Sequence, residues 1–242
     1  MSYWDADPAV PSAQRTIPLR LPDVTRDLRT DRGVFGASAL DKGTSVLLRT
    51  SPAPAAGEGV VDLGTGYGPI AAVLGVRQPL AGIWAVDVNR RALALTRHNT
   101  SDLPNVLTAT PEDVPAGLRF HALYSNPPIK IGKEPLRQLL SDWLARLVPG
   151  GSGWLVVKQS MGADSLQRWL IDTGHPARRA ASKQGTGSCR CRRRAIREYG
   201  SARRIWQWSL PRRAGSGPSW AGSRGYSRTA CTWSGTAIDW RR

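Results

Sequence analysis

A run of apolar residues that includes a carboxylate and then breaks into alternate glycines, Val60-Val61-Asp62-Leu63-Gly64-Thr65-Gly66-Tyr67-Gly68, constrains this chain more than any other feature. Val60 to Leu63 predicts a buried strand. The glycines predict a turn whose backbone N–H groups stay open to a ligand, because no Cβ covers them. Pro69 suits the first turn of a helix, where its missing N–H is not needed, and a helix is expected over 69–76. The alternation continues with a strand over 82–88, a helix over 90–99 and strands over 105–109 and 119–125. A helix over 135–147, a strand over 154–158, a helix over 165–171 with Asp164 as N-cap, and a sixth strand over 177–184 complete it. Strands alternating with helices predict an α/β fold with a mostly parallel, doubly wound sheet covered on both faces.

Upstream, residues 15–50 read as an extended lead-in in which Thr16-Ile17-Pro18-Leu19-Arg20-Leu21 alternates like a strand. A Pro/Ala/Gly linker, 51–59, follows it. Residues 1–50 are therefore expected to be an extension packed on a catalytic domain of residues 51–185, with 186–242 an irregular tail.

The chain of 242 residues has a formal charge of +16, which by itself suggests a phosphate-bearing partner. The charge is uneven: 186–242 carries +11 of it and the rest only +5. That tail also holds Cys189, Cys191 and Cys231 and five of the ten tryptophans. Cys189-Arg190-Cys191 lacks the paired spacing or the histidine partners of a zinc site, so no metal is expected. Neither a membrane-length apolar run nor a basic, apolar leader is present, so a cytoplasmic protein without a membrane partner is expected.

The glycine spacing, Gly64-x-Gly66-x-Gly68, departs from the dinucleotide fingerprint, and Asp62 ahead of it suits a cationic amino-acid ligand better than a pyrophosphate. Asp87, with Val88 beside it, ends the second strand, where a carboxylate can accept from both ribose hydroxyls of a nucleoside. Asp113, or its neighbour Glu112, follows the third strand and is a candidate for the adenine amine. Adenosine joined to a methionine-like zwitterion satisfies Asp62 and Asp87 together, which points to S-adenosylmethionine.

The second signal is Ser125-Asn126-Pro127-Pro128-Ile129, placed after an apolar strand at the carboxyl edge of the sheet. An exocyclic amine is a poor nucleophile, since its lone pair is delocalised into the ring or carbonyl. The Asn126 side-chain oxygen and the Pro127 carbonyl can accept its two N–H groups and aim the lone pair at a methyl donor. The same residues also make ordinary turns, so the glycine turn upstream is what favours a clamp.

With both motifs in this order, the chain resembles the methyltransferase small-domain family, which includes ribosomal RNA guanine-N2 methyltransferases, over about residues 15–185. The resemblance rests also on Thr30-Asp31-Arg32-Gly33-Val34-Phe35, on Leu40-Asp41-Lys42-Gly43-Thr44, and on Ile129-Lys130-Ile131-Gly132-Lys133 after the clamp. It implies a Rossmann-like class I methyltransferase with S-adenosylmethionine as cofactor. Asp62, Gly64, Thr65, Gly66, Gly68, Asp87, Val88, Asp113 and Thr44 would lie at the cofactor, and Asn126, Pro127, Pro128 and Ile129 at the acceptor. Ile129, where adenine and protein-glutamine enzymes carry an aromatic, implies guanine in ribosomal RNA or the small ribosomal subunit. Adenine or glutamine methylation, or an inactive cofactor-binding or basic RNA-binding protein, are the alternatives. Lys130, Lys133 and Arg137 are candidates for phosphate contact or simply a solvated helix start.

The resemblance ends at Gly185, where the family's last strand is expected and this chain reads Thr186-Gly187-Ser188-Cys189. If residues 186–191 are encoded ACC GGG TCC TGC CGG TGC, one T added in front restores Tyr-Arg-Val-Leu-Pro-Val, so the tail reads as a one-base frameshift product. A basic arm with interleaved aromatics is the other reading. On the first, the last strand is missing and Trp154 to Lys158 is left as an exposed edge.

Overall fold

The computed structural model describes residues 6–182 and 203–209. A hairpin of β1 (Arg15–Arg20) and β2 (Thr25–Thr30) leads into α1 (Lys42–Thr50). The core follows as β3 (Gly59–Leu63), α2 (Pro69–Arg77), β4 (Gly82–Val86), α3 (Arg90–Asn99), β5 (Val106–Ala109) and β6 (Phe120–Ser125). Then come α4 (Lys133–Leu144), β7 (Leu147–Lys158), α5 (Ala163–Asp172), β8 (Ala177–Ser182) and β9 (Arg203–Ser209). The large sheet runs β5-β4-β3-β6-β7-β9-β8, parallel from β5 to β7 and antiparallel at β9.

The two-residue period of the strands builds both faces. Val60, Ile83, Ala85, Ala122, Tyr124 and Val156 join one hydrophobic cluster with the hairpin and α1 to α3. Their neighbours Val61, Val86, Leu123, Leu155 and Val157 join a second with α4 and α5. Residues on both sides of position 50 share the first cluster, in which Leu28, Leu47 and Leu48 are as buried as Val60. From β3 the chain winds outward to β5 and then returns to β6 on the other side of β3. That leaves a crevice at the carboxyl ends of β3 and β6, where open parallel sheets bind ligands.

Four expectations change. Residues 42–50, read as the end of an extended lead-in, form helix α1, which Asp41 caps by accepting from Gly43 N and Thr44 N. Residues 25–30 form a strand although Thr25-Arg26-Asp27-Leu28-Arg29-Thr30 has only one apolar side chain; hairpin pairing and the burial of Leu28 decide it. Asp164 lies in the first turn of α5, and the N-cap is Gly162, whose φ of 90° suits a glycine. The last strand is not missing: Arg203–Ser209 pairs antiparallel with β7 from Ser152↔Ser209 to Lys158↔Arg203, so Trp154 to Lys158 is no edge. A ladder needs only backbone N–H and C=O groups, and Arg203-Arg204-Ile205-Trp206-Gln207-Trp208 offers strand-forming residues with no proline to interrupt it. The tail expectations for 186–202 and 210–242, the cysteines and the frameshift reading among them, lie outside the described residues.

Candidate active site

The glycine turn is tied to its neighbour by backbone bonds, Gly64 N and Thr65 N both donating to Val86 O, at 2.8 and 3.0 Å. Gly64 sits at φ 73° with open space where a Cβ would stand, and it lines a cavity of about 500 Å³ in the crevice. Gly66, at φ 61°, donates its N–H to Asp87 Oδ2 at 2.8 Å and lines the same cavity. Gly68 has another task. At φ 87° it caps α2, and a Cβ there would come within 2.8 Å of Thr96 Cγ2, so its size lets α3 close on the turn.

Asp62 is fully buried beneath the turn and does not line the cavity. Its Oδ2 accepts from Thr65 Oγ1 at 2.6 Å and from the N–H of Ala71 at 3.0 Å. Its Oδ1 has no partner among the described residues, and desolvation pushes the carboxyl up to about 7. Asp87 does line the cavity; burial raises its pKa although Asn89 N and Gly66 N each donate to one oxygen. Val88 forms an exposed apolar lip beside it. Asp113 and Glu112 do not reach this cavity. Asp113 accepts from Thr110 Oγ1 at 2.8 Å and closes an exposed turn, while Pro111 takes the place on the wall.

Across the crevice stand Asn126, Pro127, Pro128 and Ile129, all on the wall of the same cavity. Ser125 Oγ donates to Leu63 O at 2.6 Å, joining the end of β6 to the strand that carries the glycine turn. Pro128, at φ −73° and ψ 73°, centres an inverse γ-turn in which Ile129 N donates to Pro127 O at 2.9 Å. The Pro127 carbonyl thus keeps one lone pair for a substrate. Asn126 Nδ2 donates to Asp41 Oδ1 at 2.9 Å and to Thr44 Oγ1 at 3.0 Å. Thr44 supports the clamp and also lines a pocket of about 20 Å³ with Gly64, Thr65, Gly66 and Asn126, between the glycine turn and the clamp. The buried Tyr67 hydroxyl lacks a partner among the described residues, and burial and the Asp41 carboxylate both raise its pKa.

Sequence reasoning did not assign Asp41, Met161 or Lys158 to the site. The cap pattern Asp41-x-Gly43-Thr44 was the available signal for the first; Asp41 N-caps α1 by accepting from Gly43 N and Thr44 N. Nothing local marks Met161 or Lys158, which reach the cavity wall because β7 runs beside β6.

The description of the methyltransferase small domain matches residues 25–181. The chain belongs to this family. Among its relatives, the uncharacterized protein YbxB of Bacillus subtilis is 29% identical over 168 residues, covering 67% of this chain and 84% of that one. Ribosomal RNA small subunit methyltransferase C of Chromohalobacter salexigens is 36% identical over 154 residues, which are 60% of this chain and 45% of that protein. This chain thus spans less than half the length of that curated relative. The solved T. thermophilus 16S rRNA N2 G1207 methyltransferase, in complex with AdoMet and guanosine, shares the fold. Its TM-score is 0.61 and its identity 19%, over 84% of this chain and 52% of that one.

The residues of the crevice fit S-adenosylmethionine, the cofactor that the family resemblance implies. The turn has space at Gly64 that a Cβ would fill, and Asp87 presents a carboxylate to the cavity. No helix among the described residues is long and apolar enough to cross a membrane.

Proposed function

We propose that this methyltransferase small-domain protein methylates an exocyclic amine, N2 of guanine in ribosomal RNA, with Asn126 and the Pro127 carbonyl as the acceptor clamp. One observation carries the reading: the clamp and the cofactor-side residues Gly64, Gly66 and Asp87 line one cavity rather than two. Bound S-adenosylmethionine supplies an electrophilic methyl carbon. Asn126 Oδ1 and the remaining lone pair of Pro127 O accept the two N–H groups of the amine, turning its lone pair toward that carbon. Once the methyl carbon passes to the amine held by Asn126 and Pro127, leaving the cofactor as its thioether, the amine nitrogen would give up a proton to solvent. Orientation of this kind can supply up to about 7–11 kcal/mol of a barrier, so the site works without a strong base.

The base would lie in the apolar part of the cavity formed by Ile129, Ile131, Leu139 and Met161. Lys130 and Lys158 on the same wall offer ammonium groups to the acceptor edge of guanine or to a phosphate. The ribosomal target is supported by the names of the relatives and by the aliphatic Ile129. Labelled methyl transfer to undermodified ribosomal RNA, with nucleoside analysis, tests it. N2-methylguanosine is expected; N6-methyladenosine or methylated protein glutamine would overturn the target, and no transfer to any amine would overturn the clamp.

A further inference from the structure

An amide such as Asn126 has two ends, and a clamp for an amine works only if its oxygen faces the substrate. Both hydrogens of Asn126 Nδ2 are already committed, one to Asp41 Oδ1 at 2.9 Å and one to Thr44 Oγ1 at 3.0 Å. Asp41 Oδ1 also receives the N–H groups of Gly43 and Thr44, at 2.7 and 3.1 Å. An oxygen that collects three donors has no place for an amide oxygen, so the flipped orientation of Asn126 would set two acceptors against each other. We infer that Asp41 is a positioning residue for methyl transfer, assisted by Thr44. It holds the Asn126 amide with its oxygen toward the cavity, and so makes the acceptor pocket selective for a group that donates hydrogen bonds. Asp41 itself reaches the cavity wall, and its backbone is fixed by the start of α1, so the lock is built into the helix cap.

This inference rests on the proposed N-methyl transfer, and its test separates the two. Asp41→Ser keeps a good N-cap for α1 but is too short to reach Asn126, whereas Asp41→Asn keeps both a cap and a carbonyl oxygen. In Asp41→Ser, kcat falls by about 10²-fold, the loss typical of a misplaced reacting group. The melting temperature and the calorimetric Kd for S-adenosylmethionine stay near wild type, and Asp41→Asn regains most of the rate. The side-chain amide resonances of Asn126, assigned by comparison with Asn126→Asp, move in Asp41→Ser and return toward their wild-type positions in Asp41→Asn. A wild-type kcat or unmoved amide resonances in Asp41→Ser overturn the positioning role. So does a loss of melting temperature and cofactor affinity in step with kcat, which would mark Asp41 as a helix cap alone. If the wild-type protein transfers no methyl group to an amine, the proposed function fails, and the amide resonances still decide whether Asp41 sets the orientation of Asn126.

Discussion

The glycine turn and the clamp loop face each other across one cavity, yet they are stabilised in opposite ways. The turn after β3 is held by its own neighbourhood: positive φ angles at Gly64, Gly66 and Gly68, a buried Asp62 beneath it, and backbone bonds to the adjacent strand. The clamp after β6 has a local γ-turn for its backbone, but its key side chain is anchored by Asp41, 85 residues earlier in the chain. The contrast implies that cofactor binding and methyl transfer are separable, one depending on local backbone shape and the other on a distant helix cap.

The sharpest attempt to break that separation is Asn126→Ala. The expected loss in kcat is about 10²-fold, from about 1–3 kcal/mol for unpaired substrate donors together with lost orientation, and cofactor Kd is unchanged. A parallel loss of cofactor binding in calorimetry would show that the two loops act as one. On the other side, Gly68→Ala drives a Cβ to 2.8 Å from Thr96, whose Oγ1 is itself bonded to Gly66 O. About 2–3 kcal/mol of stability should be lost, from overpacking and an unfavourable φ, measured by denaturant unfolding. A cost below about 0.5 kcal/mol would mean that α3 yields easily at this contact.

The pH dependence comes next. Asp62 is raised from 3.8 to about 7 in the fold, so between those values the folded protein keeps a proton that the unfolded chain has released. Stability from this group is therefore greatest at low pH, falls as pH rises toward 7, and is flat above it, with a slope of no more than about 1.4 kcal/mol per pH unit. Asp87, also raised by burial, acts in the same direction. Asp62→Asn should flatten the profile between pH 4 and 7 in chemical denaturation; an unchanged profile would remove Asp62 as its source. The smallest effect is expected for Gly64→Ala, where open space leaves only the φ penalty of about 1 kcal/mol, while the new methyl group enters the cavity and weakens cofactor binding. Equal stability losses at Gly64 and Gly68 would erase the distinction between a ligand-facing and a packing glycine.

Legibility followed the range of the interactions. Helix α3 was readable to its ends because Asn89 caps it and its apolar residues recur at helical spacing, and strand β3 was readable because it is buried on both faces. Strand β2 was not, since its pairing partner rather than its own pattern makes it a strand. Asp113 was misplaced because a carboxylate after a strand can turn either to a ligand or to its own backbone neighbourhood, and here Thr110 captures it. Asp41 and Thr44 lie in a stretch that reads as an extended lead-in; the structure makes them the start of α1 and brings Asp41 to the cavity wall.

By itself, then, the amino-acid order determined the parallel sheet, the glycine turn and the position of the Asn-Pro-Pro loop, all of which arise from side-chain periodicity and backbone permissiveness within a few residues. Only the tertiary structure decided that Arg203–Ser209 enters the sheet beside β7 and that the Asn126 amide meets Asp41. A ladder bond or a hydrogen bond between distant residues leaves no period in the chain, because its energy depends on where folding brings the partner.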